Sequence, residues 1–177
     1  MAVLHDRSSS GSLTGRDIVR AVAAYHFGVE PADVELGTDD RGKPRLVGAP
    51  TPFAFNLSDA DDHIAVAFAL GCEVGVDIER ADRRTTEPLR FARRVLSDAE
   101  RSALDGLDDD AFQRGLIRCW TRKEAVLKAS GHGLRRELGG IDTSGDVVAL
   151  DGDTYRVRTV DRDGFVVSVA WTQDGAG

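Results

Sequence analysis

The sequence predicts an α+β fold built as two similar halves in one chain. Three observations carry this. Elements run helix then strands, then helices then strands, instead of alternating as a parallel sheet requires. Strand segments are short and separated by Asp- and Gly-rich turns. The 177 residues fit one domain or two small lobes sharing a core. The division is set at residues 1–75 and 76–177.

Residues 1 to 12 are rich in Ser and Gly and read as loose. Thr14 is placed to cap a helix to about Phe27, with Ile18, Val22 and Tyr25 or His26 on one face and Gly28 as the stop. His26 reads as a structural, helix-terminal histidine. A short strand near Val34 to Gly37, a turn at Asp39-Asp40-Arg41-Gly42 and a strand after Pro44 follow. Residues 52 to 79 read as three strands: PFAFNLS, then HIAVAFAL across a turn from Ser58 to Asp62, then VGVDIE. HIAVAFAL is apolar on both faces, which suits a central, covered strand. In the third strand Val74, Val76 and Ile78 face one side, and Gly75, Asp77 and Glu79 the other.

The second half opens with arginines around a helix near Glu87-Pro88. Ser97 and Glu100 then form a capping box. A loop from Gly106 to Asp110 leads into a long helix ended by Gly131. Three strand candidates close the chain, IDTSGDVVAL, TYRVRTV and GFVVSVAW, with hairpin turns at Asp151-Gly152 and Asp163-Gly164.

Composition narrows the function. The chain is 41% hydrophobic and 30% charged with a formal net charge of -7, so general nucleic-acid binding is not expected. No apolar run reaches membrane-span length, and MAVLHDRSSS lacks a signal peptide's apolar core. Cys72 and Cys119 have no CxxC spacing and read as buried reduced thiols of a cytoplasmic protein, with no zinc site expected.

The chemistry gathers on the long helix, in CWTRKEAVLKASGHGL from Cys119 to Leu134. Phe112, Leu116, Trp120 and Leu127 form one apolar stripe. Glu124 follows Trp120 by four residues and Lys128 follows Glu124 by four. Alone, this is either a surface ion pair or a carboxylate beside a buried indole that needs a positive partner. Asp77 and Glu79, about 7 Å apart on one strand face, repel unless hydrated or bridged by a cation. Gly75 on that face leaves room for a ligand. Three carboxylates, Asp77, Glu79 and Glu124, are hard oxygen donors that favour Mg²⁺ or Mn²⁺ over Zn²⁺. Lys123 and Lys128 supply positive charge for phosphates. The set is a phosphoryl-transfer constellation.

GVDIER (Gly75 to Arg80) and WTRKEAVLK (Trp120 to Lys128) resemble the two signature motifs of 4′-phosphopantetheinyl transferases, at every specified position. The similarity is to the surfactin-synthetase-activating type, a pseudo-dimer in one chain, here N-terminally short. Gly42-Lys43-Pro44, Phe55-Asn56-Leu57-Ser58, the LSDAE segment to Glu100 and Gly131-His132-Gly133-Leu134 also resemble the family. The resemblance implies transfer of phosphopantetheine from coenzyme A to a carrier-protein serine. It implies Asp77, Glu79 and Glu124 as Mg²⁺ ligands, and Glu124 as the group that helps deprotonate the serine. Lys128 and Lys123 would contact phosphate, with Lys128 also assisting the leaving group. Lys43 and Ser58 would contact the coenzyme on the first half, and Trp120 would anchor the helix. His132 carries no catalytic role.

An acidic carrier would dock at Arg90, Arg93 and Arg94, and a monomer is expected because the two halves complete one site. Asp59 stands where the family usually has a phosphate-touching histidine. The chain also starts late, with Arg7 and Arg16 as substitutes for basic N-terminal residues. These departures leave two alternatives open: a carrier-binding relative with weakened coenzyme binding, and a hydrolase that cleaves the coenzyme's pyrophosphate.

Overall fold

The computed structural model describes residues 1–7, 13–49, 51–131 and 137–173. His132, Gly133 and Leu134 lie outside them. The elements are β1 (Ala2–Asp6), α1 (Gly15–Phe27), β2 (Leu36–Thr38), β3 (Pro44–Leu46), β4 (Phe53–Ala60), β5 (His63–Leu70) and β6 (Val74–Arg80), then α2 (Pro88–Val95), α3 (Asp98–Leu104), α4 (Asp109–Ser130), β7 (Val147–Leu150), β8 (Asp153–Arg162) and β9 (Phe165–Thr172).

The α+β expectation holds, and both halves share one wiring. In each, the first strand pairs antiparallel with the last, and the last pairs with the one before it. The sheet orders are β1-β5-β4 and β6-β9-β8-β7. Side-chain alternation sets four layers. Phe53, Phe55, Ile64, Val66 and Phe68 pack on Val19, Ala23 and Ala24 of α1. From the opposite face of that sheet, Ala54, Ala65 and Ala67 meet Val74, Val76, Ile78, Phe165 and Val167 of the second sheet. The second sheet's far face, through Val148, Leu150, Tyr155, Val157 and Ala170, takes Ala125, Val126 and Ala129 of α4. β5 is central in its sheet, which explains its two apolar faces.

The sheets meet where β4 lies beside β6. Each is the edge of its own sheet, and the Asn56 side chain accepts a hydrogen bond from the Val76 backbone N–H (3.0 Å). A strand edge without a ladder partner is thereby satisfied across the junction.

Local signals explain the helices. Thr14 and Asp17 form a capping box on α1, and Gly28 ends it at φ 69°. Ser97 and Glu100 do the same at α3. Asp108 caps α4, and Gly131 closes it at φ 71°. The hairpin turns at Asp151-Gly152 and Asp163-Gly164 have positive φ at both residues, as a type I′ turn requires.

Four expectations are corrected. Residues 2–6 are an edge strand of the first sheet, not a loose start; their alternation was too short to outweigh the serines that follow. Tyr25 is 92% exposed, and α1 buries Val19, Ala23 and Ala24 instead. The β4–β5 turn is narrower than Ser58 to Asp62, because Ser58, Asp59 and Ala60 continue the ladder. Gly75 leaves no ligand space: a Cβ there would lie 2.1 Å from the Ala125 carbonyl oxygen and 2.3 Å from the Ala129 nitrogen.

β6 and α4 are therefore in backbone contact at Gly75. Gly75→Ala is expected to cost about 3 kcal/mol, the upper end for overpacking, because the obstacle is backbone that cannot rotate away. An unchanged midpoint of urea unfolding would contradict so close an approach.

Candidate active site

The contact at Gly75 places the next two residues of that strand face, Asp77 and Glu79, under α4. Asp77 is buried, and its Oδ1 accepts hydrogen bonds from the Lys128 ammonium (2.7 Å) and the Ser58 hydroxyl (2.9 Å). Lys128 also donates to the Ser58 oxygen (2.9 Å). Three elements, β4, β6 and α4, thus close one triangle. The side chain of Lys128 is 28% exposed, so one face of the triangle is open to solvent.

Glu124 sits one turn before Lys128 and is 5% exposed. Its Oε1 is buried with no hydrogen-bond partner, and the same is true of Asp77 Oδ2. Burial, then the nearby Asp77 carboxylate, pushes the Glu124 carboxyl up to about 7, with Lys128 opposing. Burial likewise raises Asp77. Glu79 faces the same way but is engaged: its Oε1 accepts from the Trp120 indole N–H (3.2 Å) and from Arg83. Trp120 stacks at a tilt on Phe91, 5.1 Å between centroids, so it both anchors α4 and holds Glu79.

The three carboxylates share one face, yet no three His, Cys, Asp or Glu side chains among the described residues are gathered closely enough to hold a metal ion. Two buried, unpartnered carboxylate oxygens nevertheless suit a hard cation, which is commonly held by one or two carboxylates plus phosphate oxygens. The Oε1 of Glu79 is already taken by Trp120 and Arg83.

The other basic residues are placed differently from expectation. Lys123 has no exposure and gives its ammonium to Glu100 (2.6 Å) and to the carbonyls of Val95 (2.5 Å) and Leu138 (3.0 Å). It does not reach a phosphate at the Asp77 site, which corrects that assignment. Lys43 is also buried and bridges Glu73 (2.5 Å) and the Ala129 carbonyl at the end of α4 (2.7 Å). Burial lowers its pKa. As placed, it clamps α4 to the β2–β3 hairpin. Asp59 is exposed next to Ser58, facing the α1 side of β4.

Arg90 pairs with Glu87 (3.0 Å), whereas Arg93 and Arg94 stand exposed on α2 with no ion pair among the described residues. Arg93 borders a groove of about 720 Å³ floored by Leu89, Ala92, Leu96, Leu104 and Phe112.

Sequence reasoning missed Asn56, Arg83 and the second role of Glu100. Asn56 falls within the Phe55-Asn56-Leu57-Ser58 resemblance, but nothing local announces that its side chain meets the Val76 backbone. Glu100 was legible as a cap residue, but nothing local announces that its carboxylate also meets Lys123.

A carboxyl whose folded pKa is raised stabilises the fold below its unfolded pKa and loses that contribution as pH rises through the folded value. For Glu124 the window runs from 4.5 to about 7. In chelator, Glu124→Gln is expected to be more stable than wild type at pH 8 by on the order of 2 kcal/mol, and equal to it near pH 4.5. Denaturant midpoints at both pH values check this; a constant difference would refute the raised carboxyl.

Residues 73–172 match the family model described as the 4′-phosphopantetheinyl transferase superfamily. The 4′-phosphopantetheinyl transferase HetI of Nostoc sp. is 35% identical over 124 residues, 69% of this chain and 52% of its own. The 4′-phosphopantetheinyl transferase Sfp of Bacillus subtilis is 30% identical over 136 residues, 76% of this chain and 58% of its own. The chain therefore spans about half the length of the curated relatives it matches. A solved holo-(acyl-carrier-protein) synthase from Bacillus anthracis, in complex with CoA (3′,5′-ADP), is similar over 58% of this chain and 96% of its own, with 21% identity and a TM-score of 0.49. The family model extends from β6 through α4 to β9, taking in Asp77, Glu124 and Lys128, and on that match this chain belongs to the 4′-phosphopantetheinyl transferase superfamily.

Proposed function

We propose that this protein transfers the 4′-phosphopantetheine group of coenzyme A to a serine of an acyl or peptidyl carrier protein. The observation that supports it best is the hydrogen-bonded triangle of Ser58, Asp77 and Lys128 beside the buried, unpartnered Glu124. In this reading Lys128, held by Asp77, faces the pyrophosphate and gives a proton to the departing 3′,5′-ADP phosphate. Glu124 takes the proton of the carrier serine hydroxyl. The serine oxygen forms a bond to the pantetheine-side phosphorus as the bridging oxygen leaves with 3′,5′-ADP. Mg²⁺, or Mn²⁺ in its place, held by Asp77 and Glu124 with Glu79 as the third carboxylate, would neutralise charge on the pyrophosphate.

Docking is part of the same proposal. Arg93 borders the groove of α2, α3 and α4, and Arg94 and the Glu87-paired Arg90 add positive charge on the same helix. An acidic amphipathic segment of the carrier complements that combination. In this reading the protein acts as a monomer, since both halves of the site come from one chain, and cytoplasmic location remains part of the proposal.

A second reading is motivated by Asp59, an exposed carboxylate next to Ser58 that cannot supply the hydrogen-bond donor a histidine would. It is a carrier-binding relative with weak coenzyme affinity.

Mass spectrometry of an apo carrier incubated with coenzyme A and Mg²⁺ should show the gain of one phosphopantetheine group, abolished by EDTA. No gain with several carriers at high enzyme concentration would sink the transferase reading. Lys128→Met and Glu124→Gln are each expected to lower kcat by roughly 10²–10⁴. Calorimetry separates the second reading, which requires carrier binding without coenzyme binding and a gain in coenzyme affinity on Asp59→His.

A further inference from the structure

The buried pair Glu100–Lys123 belongs to none of the steps above, yet every Lys123 donor and both Glu100 oxygens are bonded. All three Lys123 N–H groups are used, on Glu100, on the Val95 carbonyl at the end of α2 and on the Leu138 carbonyl. Glu100, 2% exposed, receives four donors. Oε2 takes the Ser97 N–H (2.9 Å) and Lys123, and Oε1 takes the Thr143 N–H (2.8 Å) and hydroxyl (2.7 Å). One ion pair therefore joins α2, α3, α4 and the 138–143 segment.

Stability alone does not account for it. Desolvating two charges roughly cancels their attraction, and an apolar pair of similar volume commonly serves as well or better. A fixed geometry is what such a network adds. Lys123 lies about 100° around α4 from Glu124 and about 140° from Lys128. Locking its side chain sets the rotation of α4 and hence the direction in which the other two point.

A load on that rotation is visible. Across the α4–β6 contact, Glu124 faces the like charges of Asp77 and Glu79, and its Oε1 has no partner. The attractions that oppose this repulsion are Lys128 to Asp77 and Trp120 to Glu79. Repulsion tends to roll or lift α4 away from β6, and an anchor on the flank of α4 away from β6 resists it.

We propose that Glu100 and Lys123 are a positioning pair that holds α4 against β6, so that Glu124 and Lys128 stay opposite Asp77 before any cation or phosphate arrives. Its consequence for turnover rests on the transferase reading; its consequence for geometry does not.

The test is the double variant Lys123→Met/Glu100→Leu, built with Trp171→Phe in both reference and variant so that Trp120 alone emits. Measurements are made well below each protein's own Tm, so that loss of global stability does not enter. Emission from Trp120 should move to longer wavelength as its bond to Glu79 gives way. For transfer to a carrier, kcat should fall at least about tenfold, with KM for coenzyme A changed by less than about threefold, the pattern of lost transition-state contacts. Unchanged emission and unchanged kcat in the folded variant would overturn the proposal. If the reference shows no transfer to any carrier, the proposed function fails and the emission decides this proposal by itself. Should the double variant not fold, Thr143→Val removes one of the four donors to Glu100. A smaller shift in the same direction is expected, and none would overturn the pair's role.

Discussion

Everything in the site follows from α4 resting on β6 with no side chain between them at Gly75. A helix normally stands off a sheet by the depth of the intervening side chains. Here the strand gives up its Cβ, and the helix backbone comes down onto it. The next residues on that strand face, Asp77 and Glu79, then lie beneath α4 at the level of Glu124 and Lys128. Mutual repulsion of carboxylates becomes a property of the fold, together with the single ammonium that answers it.

Much of the fold was legible because its signals are local. Capping at Thr14 and Ser97, helix stops at Gly28 and Gly131, and the two Asp-Gly turns depend on a few adjacent residues each. Alternation in VGVDIER placed Asp77 and Glu79 on one face, and the four-residue step from Trp120 placed Glu124 beside the apolar stripe. What stayed hidden depends on contacts distant in sequence. Lys43 meets Ala129 across 86 residues and Lys123 meets Leu138 in a separate segment, so neither burial shows in local pattern. β1 was hidden for a related reason, since a five-residue strand gains its identity from pairing with β5.

The shared wiring of the halves bears on how one site is assembled. Each sheet carries a helix on its outer face, but only the second half supplies the carboxylates and Lys128. The first half contributes Ser58 at the β4 edge and the clamp from Lys43. A functional site at a junction of two sheets is thereby set by two strand edges whose spacing Asn56 fixes.

The chain has three lysines against twenty arginines, and all three lysines bear on α4: Lys43 at its end, Lys123 on its flank and Lys128 on its β6 side. An ammonium is compact and directs its three bonds tetrahedrally, which suits small enclosed clusters of carbonyls and carboxylates. Arginine serves the outer surface, except for Arg122, which is buried against the Thr143 and Gly145 carbonyls. Of the three lysine amines, those of Lys43 and Lys123 are shut inside and only that of Lys128 is open to solvent. Among the lysine side chains, acylation or cross-linking would address chiefly Lys128, so a reagent usually regarded as indiscriminate becomes, for these side chains, a marker of one place.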